Sequence, residues 1–225
     1  MHTTSLFLTV FLDIKEWLQY LKPEYLLHSL GPIAWIGVIV MIFAETGLFV
    51  GFFFPGDSLL FTAGLLSKDA STLGMAFPPL LILLLIAGIL GNTTGYYTGR
   101  YLGPRLFKRD DSLIFKKKYL EMTESFYNEH GSMALILGRF IPIIRTFAPI
   151  LAGAIKMNAG KFFLYNLIGA ILWIGSITTI GYLLGNIEWV HKNLEYIVLA
   201  LIIITIIPVI STYRKENKKH KAKVE

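Results

Sequence analysis

From Ile33 to Phe54 the chain is largely apolar and, at about 20 residues per crossing, long enough to span a bilayer, yet the run does not end cleanly. Pro55-Gly56-Asp57 breaks it, and Ser58 to Leu66 resumes it. An apolar stretch cut by Pro and Gly, with a carboxylate at the cut, marks a discontinuous or re-entrant element. A second such stretch, Ser132 to Ile155, carries Arg139, Pro142, Arg145, Pro149 and Gly153. The two read alike. Gly51-Phe52-Phe53-Phe54-Pro55-Gly56-Asp57, continuing to Ala63-Gly64, pairs with Gly138-Arg139-Phe140-Ile141-Pro142-Ile143-Ile144-Arg145, continuing to Ala152-Gly153. Beyond them Gly95-Tyr96-x-x-Gly99 matches Gly181-Tyr182-x-x-Gly185 at nearly equal distances past Pro55 and Pro142. The chain is therefore expected to be an all-α polytopic membrane protein made of two repeated halves, each with a broken hairpin, the breaks at Pro55, Gly56, Pro142 and Pro149. In transporters, interrupted helices at corresponding repeat positions point to a binding site where the repeats meet.

Composition agrees with a membrane solvent. Of 225 residues, 54% are hydrophobic and 16% charged, too apolar for an ordinary soluble domain of this size. The absence of cysteine removes disulfides, thiolate metal sites and cysteine nucleophiles. Leu6 to Leu12 lacks a basic leader and a small-residue cleavage site, so a cleaved signal peptide is not expected. The net charge of +6 sits in two clusters: Arg100, Arg105, Lys108, Arg109 and Lys116 to Lys118 in one loop, and Arg214, Lys215, Lys218, Lys219, Lys221 and Lys223 in the tail. Both flank apolar segments, as the positive-inside rule expects of cytoplasmic loops near anionic headgroups, and no nucleic-acid motif accompanies them.

Three regions follow: residues 1–24 as an N-terminal amphipathic interfacial helix, 25–212 as the transmembrane domain, and 213–225 as a basic cytoplasmic tail. Within the domain, Leu80 to Tyr101, Phe162 to Leu184 and Leu194 to Pro208 read as further spans, and Tyr119 to His130 as an amphipathic surface helix with Glu121, Glu124 and Glu129 on its polar side. Lys156 and Lys161 are expected on the same side as the basic loop, which makes Ser132 to Ile155 enter and leave by one face. Trp17, Trp35, Trp173 and Trp189 read as an aromatic belt near span ends. Asn92 and Asn166 read as interhelical hydrogen-bonders, with a site-lining role also open. His130 and His191 are isolated and expected to be solvated rather than metal ligands.

Four charges lie inside the apolar segments: Glu45, Asp57, Arg139 and Arg145. At about 2.5 to 3.5 kcal/mol each on an insertion scale, leaving them unpaired would cost on the order of 10 to 14 kcal/mol, most of a typical net stability. They must face each other, face water, or change protonation. One reading is a structural ion network; the other is a polar cavity in which Arg139 and Arg145 bind a phosphate or other anion and Glu45 and Asp57 carry a proton. Arginine's planar fork suits the anion, and desolvation brings a carboxyl toward the working pH range. No Gly-rich phosphate loop, HExxH pair or nucleophile elbow is present, so no cofactor, no metal and no enzymatic activity are expected.

At Phe43-Ala44-Glu45-Thr46, Pro55-Gly56-Asp57-Ser58 and Gly138-Arg139-Phe140-Ile141-Pro142-x-x-Arg145-Thr146-x-x-Pro149-x-x-Ala152-Gly153 the sequence resembles the DedA family of bacterial membrane proteins, related to the eukaryotic VTT-domain lipid scramblases. The resemblance covers about residues 25–212. Phe115 to His130, with Tyr119, Phe126 and Tyr127, and Tyr165-Asn166-x-x-Gly169-x-x-x-Trp173 are also similar to this family. It implies a multi-pass protein of the bacterial inner membrane with two re-entrant hairpins in inverted repeats, acting in undecaprenyl phosphate recycling and in proton-dependent processes of the cell envelope. The family's essential acids and arginines match Glu45, Asp57, Arg139 and Arg145, with no departure at these positions. The expected function is thus a proton-coupled flippase for undecaprenyl phosphate or another anionic lipid. The alternatives are a proton-coupled transporter of a small solute or ion, and a non-transporting protein that supports envelope integrity. A homo-oligomer stays open.

Overall fold

The computed structural model describes residues 33–48, 56–106, 117–193, 196–197 and 200. The N-terminal interfacial helix, Pro55, the centre of the basic loop, the span from Leu194 to Pro208 and the basic tail fall wholly or largely outside these residues. In chain order the helices are α1 (Ala34–Gly47), α2 (Gly56–Leu66), the short α3 (Ala70–Leu73), α4 (Phe77–Leu106), α5 (Lys117–His130), α6 (Ala134–Leu137), α7 (Pro142–Ala154), α8 (Ala159–Ala170), α9 (Ser176–Leu184) and α10 (Glu188–Lys192). Among the described residues there is no strand.

Two rods frame the molecule. α4 runs for 30 residues, about 45 Å at 1.5 Å per residue. It starts at Phe77 and carries Pro78 and Pro79 in its first turn, where backbone N–H groups have no intrahelical acceptor anyway. The second rod joins α8 and α9 through a π-helical turn, Ile171–Gly175, and its start is capped by the Asn158 side chain, which accepts from Lys161 N at 3.1 Å. Each rod contains 26 residues apolar enough to cross a membrane. Phe77 stacks on Tyr182 at 4.1 Å and Tyr96 on Phe162 at 4.2 Å, so the rods run antiparallel.

The helices between the rods are short. α1, α2 and α7 have 14, 11 and 13 residues, about 16 to 21 Å each, less than the hydrocarbon thickness of about 30 Å. α2 packs on α9, where Gly64 lies against the Thr178 carbonyl and Gly181 against that of Phe61, with no room for a Cβ at either glycine. α7 packs on α4 in the same manner, Gly153 against the Tyr96 carbonyl and Gly99 against that of Ile150. These crossings use the glycines of the two sequence repeats and differ by one helical turn. α2 ends beside Gly185, near Phe77 and Tyr182; α7 ends at the opposite side, where the Tyr96 hydroxyl donates to Met157 O at 2.6 Å. Lys156 and Lys161 are exposed near that second end, as is Arg100, whose Nη1 donates to the same hydroxyl at 2.6 Å.

α7 sits at the centre. Ile141 is extended, as the residue before a proline must be, and Pro142 opens the helix. Pro149, expected with Pro142 at the break, lies instead inside α7, which continues past it to Ala154. A proline there removes the N–H that would have bonded the Arg145 carbonyl and crowds that carbonyl with its ring, yet the helix continues. Every residue from Pro142 to Gly153 is buried, as befits a helix apolar around most of its circumference. α5 starts at Lys117, slightly before the expected Tyr119, and presses Met122 against α7 while Glu121, Glu124 and Glu129 face outward. Apolar side chains form two main clusters, one of α1, α2, the start of α4, Trp173 and Ile174, the other around α7, Tyr96 and Phe162. The intramembrane charges lie where the two meet.

Candidate functional site

α1 buries Ala34, Val38, Ile42 and Glu45 on one stripe at helical spacing, so the carboxylate is carried inward on the same face as three core residues. Its seat is Gly56. A Cβ at Gly56 would overlap the Glu45 carboxylate, so the first residue of α2 is open to the end of α1 only because it is glycine. Asp57 follows at once, and α7 brings Arg145 to both acids. Arg145 Nη2 donates to Glu45 Oε1, and its Nη1 to Asp57 Oδ1 at 2.9 Å. Glu45 and Arg145 are almost wholly buried, whereas Asp57 keeps 19% of its side chain exposed.

Trp173 completes this group. Its Nε1 donates to Asp57 Oδ1 at 2.8 Å and its ring lies 4.5 Å from the Arg145 guanidinium carbon, within cation–π range. The aromatic-belt expectation fails for this residue. Trp173 is buried at mid-rod, inside the π-helical turn, a wider turn that recurs at functional positions. Trp189, by contrast, is exposed.

Arg139 has different surroundings. It rides on the 3₁₀ turn Gly138–Phe140 and is 1% exposed. Its Nη2 donates to the backbone oxygen of Asn166 at 3.1 Å and to the Asn166 side-chain oxygen. With its amide assigned from its neighbours, Asn92 turns its oxygen to the same Nη2 at 2.8 Å, sharing that nitrogen's two hydrogens with the Asn166 oxygens, and donates to Thr46 O at 3.2 Å. The Asn92 and Asn166 side chains lie 3.2 Å apart. Among the described residues Arg139 meets no carboxylate, and its Nε and Nη1 have no partner. The Trp173 ring lies 5.9 Å from its guanidinium carbon. Gly169 packs directly on it, since a Cβ there would come within 2.8 Å of Nε. Glu45 Oε2 and Arg145 Nε are also buried without a partner.

Glu45, Asp57 and Arg145 thus converge in one ion cluster, and Arg139 joins them across Trp173. Asn92 and Asn166 bridge helices, as expected, and also line the site. Sequence reasoning missed Trp173 and the seats at Gly56 and Gly169. The spacing Asn166-x-x-Gly169-x-x-x-Trp173 carries the signal, because it sets all three on one helical stripe. His130 stacks on Phe126 at 4.2 Å, away from the site, and among the described residues no three His, Cys, Asp or Glu side chains are placed to hold a metal.

The VTT domain family matches residues 54–183, which include Asp57 and both arginines. The chain is 43% identical to Protein DedA of Escherichia coli K12 over 77% of its own length and 80% of that protein. It belongs to the DedA family. This DedA-family chain is also 37% identical to the uncharacterised membrane protein Rv0364 of Mycobacterium tuberculosis H37Rv, over 84% of this chain and 83% of that one. With the inner membrane protein YqjA of Escherichia coli K12 it shares 31% identity over 76% of each chain. No solved structure matches it. The family and the two long apolar rods make it a membrane protein.

Proposed function

We propose that this DedA-family protein moves an anionic lipid carrier, undecaprenyl phosphate, between the leaflets of the bacterial cytoplasmic membrane, with protons as the coupling ion. The observation that carries the proposal is the pair of buried, unpartnered donors, Nε and Nη1, on Arg139 beside an Arg145 already held by two carboxylates. A fixed positive charge with unused N–H groups, desolvated in the membrane interior, is a receptor for phosphate oxygens. Gly169 packs against Nε and the adjoining side-chain carbon, so Nη1 is the donor that this glycine does not cover.

Proton coupling follows from the cluster beside it. Protonating Glu45 or Asp57 removes one of the charges holding Arg145, and the freed guanidinium can then join Arg139 on the phosphate. Departure of the proton returns Arg145 to the acids and weakens the hold on the anion. Partly exposed Asp57 is the side on which water can supply the proton.

The lipid is favoured over a small solute because Leu137 and Phe140, flanking Arg139 in the chain, are exposed, with Ile171 and Leu172 also exposed near Trp173. Arg139 is therefore one side-chain layer from a surface that hydrocarbon tails can occupy. The packing of α2 on α9 and α7 on α4, with their far ends on opposite sides, supports two re-entrant hairpins in an inverted repeat that meet at this site.

The test is leaflet exchange of labelled undecaprenyl phosphate in proteoliposomes at two pH values, with a neutral phospholipid as control. Selective exchange lost in Arg139→Ala and Arg145→Ala is the expected result. No exchange above empty liposomes, or equal exchange of every lipid, overturns the proposal. If Glu45→Gln and Asp57→Asn keep full exchange with an unaltered pH profile, coupling to protons is wrong.

A further inference from the structure

Two arginines in one buried site would ordinarily both be neutralised by acids, and Arg145 is. Arg139 receives amides instead. Asn166 uses its side-chain nitrogen on Ile89 O at 3.1 Å and Thr93 Oγ1 at 3.4 Å, and Asn92 uses its own on Thr46 O at 3.2 Å. Those bonds to α1 and α4 commit both nitrogens and turn both oxygens toward Nη2 of Arg139. The guanidinium is thereby fixed in place by acceptors that carry no charge. An aspartate has the same shape at either position, but it would set an oxygen against the Ile89 and Thr46 carbonyls and add an internal anion competing with any incoming one.

We propose that Asn92 and Asn166 form a neutral clamp which orients Arg139 while leaving its charge uncommitted, and that they are the positioning residues of a site for a phosphate monoester. This rests on the reading of Arg139 as the anion receptor and adds the reason why Arg139 rather than Arg145 takes the ligand while the carboxylates are ionised. The chemistry recognised is a phosphate group, whether free or on a lipid.

Full-length protein in nanodiscs at pH 8 is titrated with farnesyl phosphate and, separately, with inorganic phosphate, and thermal unfolding is followed on the same samples. Wild type, Asn166→Asp, Asn92→Asp, the uncharged Asn166→Leu and Asn92→Leu, and Arg139→Gln are compared. Each Asn→Asp variant should bind at least about 30-fold more weakly than wild type, because its carboxylate satisfies Arg139 from within, and should bind more weakly than its Leu counterpart while unfolding at or above that counterpart's midpoint. A merely structural amide would instead make the Asp and Leu variants lose binding and midpoint alike. The clamp is overturned if the Asn→Asp variants bind within about threefold of wild type, or if each Leu variant binds as weakly as its Asp counterpart.

The outcomes separate this proposal from the one beneath it. Wild type that binds inorganic phosphate but not farnesyl phosphate, with the expected loss in Asn166→Asp, keeps the clamp and removes the lipid. Farnesyl phosphate binding that is lost in Arg139→Gln but unchanged in Asn166→Asp keeps the lipid and removes the clamp. Wild type that binds neither probe removes both.

Discussion

Arg139 and Arg145 stand on either side of the break at Ile141, approach the same indole ring and are equally inaccessible to water, yet their partners differ in kind. Arg145 has two carboxylates and an aromatic face. Arg139 has a backbone oxygen and two amides, with two nitrogens left over. A guanidinium surrounded by acids has little capacity left for a ligand and serves as a counter-ion. One held only by dipoles keeps its field for whatever anion arrives. Burial alone would have made the two residues look alike; the charge of their partners distinguishes them and, under the proposed function, assigns binding to one and support to the other.

The largest effect should come from breaking the supported side. Arg145→Gln leaves two carboxylates facing each other in a buried cluster, a loss of about 3 to 5 kcal/mol, seen as a steep fall in the thermal midpoint of the purified protein. Adding Glu45→Gln and Asp57→Asn to that variant should recover most of the midpoint without recovering transport. Arg139→Gln should do the reverse, abolishing exchange while costing about 1 to 3 kcal/mol, since it leaves only neutral acceptors unpaired. Equal thermal losses in the two single variants would erase the distinction.

Smaller changes sharpen it. Gly169→Ala puts a Cβ 2.8 Å from Arg139 Nε, and displacing the guanidinium by a few tenths of an ångström should lower exchange about tenfold with little change in the pH profile. Trp173→Phe keeps the ring beside Arg145 but removes the donor to Asp57, at about 1 kcal/mol for a partly exposed acceptor. Its signature should be an altered pH dependence of exchange.

The smallest effect belongs to a carboxylate outside both settings. Asp69 caps α3, and the Ser71 hydroxyl, followed by the Ser71 backbone N–H, holds its carboxyl below the usual range. A depressed folded-state value contributes stability above the unfolded value and loses it as the pH falls through the folded one. Asp69→Ala should therefore lower the midpoint slightly at neutral pH, cease to differ from wild type in acid, and leave exchange unchanged.

Much of this was readable in the chain. Charges in apolar runs have few places to go, so Glu45, Asp57, Arg139 and Arg145 announced a shared cluster, and the second Gly-x-Phe-x-Pro stretch announced the break that the structure shows at Ile141-Pro142, while the residues just before Gly56 lie outside the described ones. What the sequence could not convey was the assignment of partners. Which arginine meets which acid depends on how α7 is placed against α1 and α2, a long-range packing outcome with no local signal. Trp173 was misread for a related reason, because a tryptophan in an apolar helix looks the same at the interface as at mid-rod until the helix ends and the π-helical turn are known. Pro149 misled in the opposite direction: it looks like a helix breaker, but buried packing around α7 outweighs one missing hydrogen bond.

The measurement closest to the central claim is a structure of the protein in nanodiscs with farnesyl phosphate at pH 8. The account predicts phosphate oxygen within hydrogen-bond distance of Arg139 Nη1, with Arg145 still on Glu45 and Asp57. Phosphate seated on Arg145, with Arg139 unchanged in its amide cage, would contradict it.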